Sequence, residues 1–74
     1  MLVTIIYHTD FRSEASSLKA SLLNKWSDIK INKMGINETI NKAKYQIQLD
    51  GGVIYSGQST TDNNTIIDLI EERL

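Results

Sequence analysis

The alternation of apolar and polar positions predicts a strand followed by a helix at the start of the chain. Residues 2–7 (LVTIIY) are rich in β-branched and aromatic side chains, with apolar residues on both alternating faces, which is typical of a central strand. In residues 13–26 an apolar side chain recurs every three or four positions, as on one face of an amphipathic helix. Asp10 and Ser13 are both suitable caps for its start. The apolar face consists of Ala15, Leu18, Leu22, Leu23 and Trp26.

The next segment predicts a second strand and then a region without a regular period. Residues 28–32 alternate in polarity, so strand, helix and strand form a unit whose two strands are parallel, with a right-handed crossover. Residues 33–44 predict a loop or one short helical turn seated on the core, with a turn at Gly35. The apolar residues of this region are Met34, Ile36, Ile40 and Ala43.

A hairpin is the strongest local signal in the chain. In residues 45–49 apolar side chains alternate with glutamine, and Asp50, Gly51 and Gly52 predict a tight turn because glycine accepts a positive φ. Residues 53–56 form the return strand. A second amphipathic helix follows, and Thr65 with Asp68 predicts its start. Its apolar face consists of Ile66, Ile67, Leu69, Ile70 and Leu74.

These elements predict a single domain over residues 1–74, of class α/β in the two-layer α+β arrangement, with the order β-α-β-β-β-α. We expect a four-stranded mixed sheet of order 2-1-3-4, with both helices on one face and the third strand antiparallel to the first. The other face is then open, and a homodimer through it would supplement a small core. Either Val3, Ile5 and Tyr7 or Leu2, Thr4 and Ile6 point outward on that face.

The composition argues against several classes of function. The net charge is −1 with both signs spread along the chain, which argues against a basic stripe for nucleic acid. No cysteine is present, so neither a disulfide nor thiol chemistry is available, and with His8 as the single histidine we expect no metal or other cofactor. No apolar run spans a membrane and no secretory leader is recognisable, which predicts a cytoplasmic protein. Abundant Ile, Asn and Lys without Pro are typical of AT-rich genomes, including those of many viruses and phages.

The chain resembles the selenoprotein W-like (Rdx) branch of the thioredoxin-like fold in three stretches: VTIIYHTDFRSEASSLKASLL, KYQIQLDGGVIYSG and NTIIDLIEERL. Their order and spacing, and the total length, agree with that family. Its activity lies in a Cys-x-x-Cys or Cys-x-x-selenocysteine motif directly after the first strand, and these two positions fall on His8 and Phe11. Neither side chain can carry out thiol–disulfide exchange. The resemblance therefore implies a thioredoxin-like domain that is redox-inactive.

The leading hypothesis is a non-catalytic, thioredoxin-like module that binds a protein partner, with the composition favouring a viral or phage accessory protein. Its predicted contact residues are His8, Thr9, Asp10, Phe11 and Arg12, with the loop of residues 57–63 as a neighbour. Phe11 is either an exposed anchor or a plug that folds over the helix end onto the core. The polar residues of this stretch are interpreted as helix caps in preference to a site for an anion.

Two other functions stay open at this stage. His8 with Asp10 is a candidate general base in an enzyme acting on a small molecule, although no nucleophile motif surrounds it. The protein is alternatively a small oligomeric component that assembles through the open face of its sheet. A further possibility is that both cysteine positions were substituted artificially.

Overall fold

The computed structural model describes residues 1–74 and confirms the predicted order of elements. The strands pair in the order β2-β1-β3-β4, with β1 parallel to β2 and antiparallel to β3, and with β3 antiparallel to β4. A single 3₁₀ turn at Thr9–Phe11 separates the first strand from the first helix. The elements are β1 at Leu2–His8, α1 at Arg12–Lys25, β2 at Lys30–Ile36, β3 at Tyr45–Leu49, β4 at Gly52–Gly57 and α2 at Asn63–Glu71.

The core lies between one face of the sheet and the two helices. Because side chains alternate along a strand, β1 buries Val3, Ile5 and Tyr7 against the helices and directs Leu2, Thr4 and Ile6 to the other face. This arrangement decides between the two alternatives left open by the sequence. The core cluster contains Val3, Ile5, Tyr7, Ala15, Leu18, Leu22, Ile29, Tyr45, Ile47, Ile66 and Ile70.

The predicted helix caps were wrong for both helices. Phe11 occupies the position before α1, and neither Asp10 nor Ser13 caps that helix because the 3₁₀ turn already leads the chain into it. The second helix begins at Asn63 and not at Thr65, since the main-chain N–H of Thr65 donates to Asp62 C=O at 3.0 Å. The Thr65–Asp68 pair therefore lies within the helix.

The second strand lies further along the chain than predicted. Seven residue pairs join it to β1, from Leu2 with Lys30 to His8 with Ile36. Gly35 is not a turn but a strand position opposite Tyr7, where the absence of a side chain leaves room for the tyrosine ring.

The region of residues 33–44 contains no helical turn. After β2 ends, the chain crosses to a tight turn in which Ile40 and Ala43 exchange two main-chain hydrogen bonds of 2.9 Å each. Asn41 and Lys42 stand at its corner with φ values of 51° and 65°, which asparagine tolerates better than lysine.

The predicted hairpin is confirmed. Asp50 and Gly51 have φ values of 49° and 89°, as expected for the tight turn between β3 and β4. Past the turn the register shifts, because Gln48 pairs with Val53 and Ile47 pairs with Tyr55. This bulge leaves the intervening residue of β4 unpaired and increases the local twist.

Candidate functional site

Three connecting segments meet at one end of the sheet, and we call this region the loop end. They are residues 9–11, 37–44 and 58–62, which follow β1, β2 and β4 respectively. Because β1 and β2 are parallel and β4 is antiparallel to β3, all three of these strands finish at the same end. Both helices begin there. The predicted contact residues are thus part of a larger surface formed by distant parts of the chain.

His8 stands where β1 leaves the sheet, and its imidazole is partly buried. Its Nδ1 atom accepts a hydrogen bond of 3.1 Å from the main-chain N–H of Asp10 and lies 3.3 Å from the Oδ2 atom of Asp10. Its main-chain N–H donates to Lys44 C=O at 2.7 Å. His8 is therefore the residue that caps the 3₁₀ turn, a role that the sequence interpretation had given to its neighbours.

The hydrogen bond that Nδ1 accepts from Asp10 affects whether His8 can act as a general base. In a neutral imidazole one ring nitrogen accepts and the other carries the proton, so an accepting Nδ1 places the proton on Nε2 of His8. Neither nitrogen then offers a free lone pair to a substrate. No hydroxyl group is hydrogen-bonded to the ring, so the arrangement of a nucleophile with its base is also missing.

Phe11 folds onto the core, as in the second of its two predicted alternatives. Its ring meets Tyr45 edge-on, with 6.3 Å between the ring centroids, and Tyr45 meets Tyr55 in the same manner at 6.1 Å. The hydroxyl of Tyr55 donates to Ser59 C=O at 2.7 Å. A chain of three aromatic rings thus connects the 3₁₀ turn to the loop of residues 58–62.

The other three predicted contact residues are exposed. Thr9, Asp10 and Arg12 all project from the turn or from the first residue of α1. Arg12 has neither a hydrogen-bond nor an ion-pair partner within the chain. Its guanidinium group is therefore available to an external carboxylate.

Tyr45 is the titratable group whose environment is most unusual. Burial raises the pKa of Tyr45 to about 12, and the negative charge of Glu14 and the neighbouring Tyr55 act in the same direction. The hydroxyl therefore stays protonated throughout the physiological range, and the ring serves as a neutral packing element between Phe11 and Tyr55.

A polar cavity of about 340 Å³ lies between the starts of the two helices, on the helix side of the loop end. Asn63, one of its lining residues, joins the two helices, since its Nδ2 donates to Ser17 Oγ at 3.1 Å and to Ser21 Oγ at 3.0 Å. The sequence interpretation included only the adjoining loop. No local pattern could have joined α1 and α2 here, because the partners are more than forty residues apart in the chain. The lining residues are Glu14, Ser17, Thr60, Thr61, Asp62 and Asn63.

No protein-family model and no curated protein matches this chain. The likeness to selenoprotein W-like proteins stays a prediction that rests on the quoted stretches. Nowhere in the chain do three histidine or acidic side chains come together as potential metal ligands. Neither helix has the length and apolar composition that a membrane crossing requires.

Proposed function

We propose that this protein is a non-catalytic binding module that presents the loop end to a protein partner. The observation that carries the proposal is the way in which the Thr9–Phe11 turn is held. His8 caps the turn from one side, and Phe11 anchors it on Tyr45 from the other. A turn fixed at both ends on a rigid sheet loses little conformational entropy on binding, which favours recognition.

The side chains at this turn support binding in preference to chemistry. If the chain is a thioredoxin-like domain, as the resemblance implies, then His8 and Phe11 replace its reactive pair, and the chain holds no cysteine elsewhere. Both replacements have structural partners, because the imidazole caps the turn and the phenyl ring packs on the core. In this proposal the scaffold is kept and the redox reaction is lost.

The charges at the turn indicate the chemistry of the partner surface. Arg12 offers an unpaired guanidinium, and arginine is among the residues that contribute most to binding energy when they become buried at an interface. Asp10 and Thr9 add a carboxylate and a hydroxyl beside it. We therefore propose a protein surface with at least one accessible carboxylate opposite Arg12. The proposal also retains a cytoplasmic location and an origin as a viral or phage accessory protein, for which composition is the support.

Site-specific photo-crosslinking tests the proposal. A photoreactive residue placed at Thr9 should capture a partner from a lysate of the source cells, whereas one placed at Asp28, at the opposite end of the sheet, should not. Capture should fall at least about tenfold in Arg12→Ala, as expected when a central arginine contact is lost. Equal capture from both positions, or capture unaffected by Arg12→Ala, would contradict the assignment.

A homodimer through the open sheet face is the second candidate. Leu2, Met34 and Val53, which are 41%, 47% and 52% exposed, favour it because all three lie on that face. The available area is small, however. Four strands about 4.8 Å apart and about 20 Å long provide roughly 400 Å², against about 800 Å² per partner in a stable complex.

The centre of this face is also polar. Gln46 is only 2% exposed and accepts a hydrogen bond of 2.9 Å from Gln48 Nε2, so its oxygen is already satisfied. A partner that covers this pair of amides would remove their remaining polar atoms from water, at a cost in free energy unless it supplies hydrogen bonds. Light scattering at roughly 50 µM protein should report a monomer, because such an interface is too small for tight association. A dimer that dissociates in Met34→Lys would favour the second candidate instead.

A further inference from the structure

The main-chain N–H and the carboxylate of Asp10 both contact the Nδ1 atom of His8. The main-chain N–H of Asp10 donates to Nδ1 at 3.1 Å, and the carboxylate of Asp10 lies 3.3 Å from that atom. The first contact requires a free lone pair on Nδ1. The second is attractive only when Nδ1 carries a proton. The two interactions are therefore mutually exclusive, and the protonation state of the ring selects between them.

We propose that His8 is a protonation-controlled latch on the Thr9–Phe11 turn. In the neutral state Nδ1 caps the turn through the amide of Asp10. When the ring takes up a proton from solvent, this bond is lost, and the new N–H donates to the Asp10 carboxylate. The amide of Asp10 is then released to water, and the 3₁₀ turn loses the cap that joins it to the end of β1.

A hydrogen-bond acceptor for the new N–H already lies beside the ring. The Asp10 carboxylate is the charged group nearest to the imidazole, and its side chain is 66% exposed, so it is free to rotate toward the ring. From the segment that leads into β3, Lys44 lies beside His8, since its C=O accepts the main-chain hydrogen bond of His8. From β2 the opposing residue is Ile36, which carries no charge. The other charged groups at this end of the molecule are Arg12, Glu14, Glu38, Lys42 and Asp62.

The latch acts on the part of the molecule that the proposed function uses. Protonation of the His8 ring would therefore release the turn that the proposed partner contacts. Phe11 follows Asp10 directly, and its contact with Tyr45 fixes the other side of the turn. The inference that the latch controls partner binding rests on the proposed function. The latch itself is a property of the free protein, so it can be tested without any partner.

Nuclear magnetic resonance of the ¹⁵N-labelled free protein tests the latch. As the pH is lowered, the amide signals of Asp10 and Phe11 should shift together with the ring signals of His8, as one titration. The protection of the Asp10 amide against hydrogen exchange should fall about fivefold, as expected for the loss of one capping bond. An Asp10 amide that does not respond while the His8 ring titrates would overturn the proposal.

Two variants separate the imidazole from the carboxylate. His8→Asn supplies an oxygen that can accept from the same amide without titrating, so its turn signals should stay constant over the pH interval in which the ring signals of the natural protein shift. Asp10→Asn keeps the main-chain donor but removes the titrating carboxylate, so its turn signals should still follow the His8 ring. The same pH response in His8→Asn as in the natural sequence would show that the imidazole is not the switch. Loss of the response in Asp10→Asn would assign it to the carboxylate.

Discussion

The ring of Tyr7 lies against Gly35 of the neighbouring strand, so closely that a Cβ atom added to the glycine would stand 3.0 Å from the tyrosine Oη. Two ring carbons of Tyr7 also lie within 3.3 Å of that point. The ammonium group of Lys33 lies on the same ring, 5.8 Å from its centroid. Tyr7 is therefore held between β2 and the helix layer, and Gly35 is the position that makes room for it.

Gly35→Ala should destabilise the fold by about 1–3 kcal/mol, because the buried tyrosine ring must move to admit a methyl group. Gly52→Ala is a matched control, since the nearest atom to its added Cβ is Leu49 C=O at 3.6 Å, an ordinary contact. It should change stability by less than about 1 kcal/mol. Urea denaturation followed by circular dichroism measures both variants. Equal losses would show that the effect belongs to glycine in general and not to the Tyr7 contact.

Removing part of a core side chain should cost more than removing one on the open face. Leu22→Ala and Ile47→Ala should each lose about 2–5 kcal/mol, because both side chains are fully enclosed between the sheet and the helices. Ile6→Ala, on the opposite face, should fall at the lower end of this range, because Ile6 is only 6% exposed but lies outside the core cluster. Val53→Ala, at a half-exposed position, is the control and should be nearly neutral. Thermal unfolding gives the ranking, and a loss for Ile6→Ala as large as for Ile47→Ala would contradict the two-layer description.

Alanine substitutions at Phe11 and at Arg12 should differ in their effect on stability. Phe11→Ala removes the edge-on contact with Tyr45 and should lower stability by about 1–3 kcal/mol. Arg12→Ala removes an exposed side chain without partners and should change stability by less than about 0.5 kcal/mol. The melting temperatures of the two variants provide the measurement. A Phe11→Ala variant as stable as the natural protein would favour the alternative that Phe11 is an exposed anchor for a partner.

Alkaline pH should weaken the fold through Tyr45. Its pKa rises from 10.0 to about 12 on folding, so between these values the unfolded chain releases the tyrosine proton while the folded protein retains it. Stability from this group is fully present below pH 10 and is lost as the pH rises toward 12, by at most about 2–3 kcal/mol. Urea unfolding at several alkaline pH values measures the slope. Tyr45→Phe should flatten it, whereas Tyr55→Phe should flatten it much less, because Tyr55 is the smallest of the three causes of the raised pKa.

The fold was predictable because its signals are local. Residues 13–26 repeat with the period of a helix, and the Asp50-Gly51 turn identifies its hairpin without reference to the rest of the chain. The end of β2 was not predictable in this way. Its Lys33 donates to Ser16 Oγ at 2.9 Å and covers Tyr7, so a charged residue occupies the helix-facing side of a strand. Only the assembled structure shows why that position accepts a lysine.

The sequence interpretation placed a contact surface at residues 8–12, directly after the first strand, and that assignment stays a prediction. The structural roles of these residues could not be predicted in full. The interpretation assigned the cap to the wrong side chains, because several polar residues in a row can all satisfy a nearby amide. Whether His8 or Asp10 does so depends on where the strand ends. The aromatic chain from Phe11 to Tyr55 likewise depends on strand pairing across the sheet.

The ends of the chain lie away from the loop end. Asp50, at the tip of the hairpin, holds Leu2 through two bonds of 2.8 Å, one to its carboxylate and one between main chains. The ion pair of Lys25 with Glu71, 3.2 Å long, joins the last turn of α2 to the end of α1. This contact also lies at the end of the molecule opposite the loop end. A tag, a tether or a second domain joined to Met1 or Leu74 would therefore leave the capped turn facing outward. Immobilisation through either terminus orients the molecule for a binding assay without further engineering.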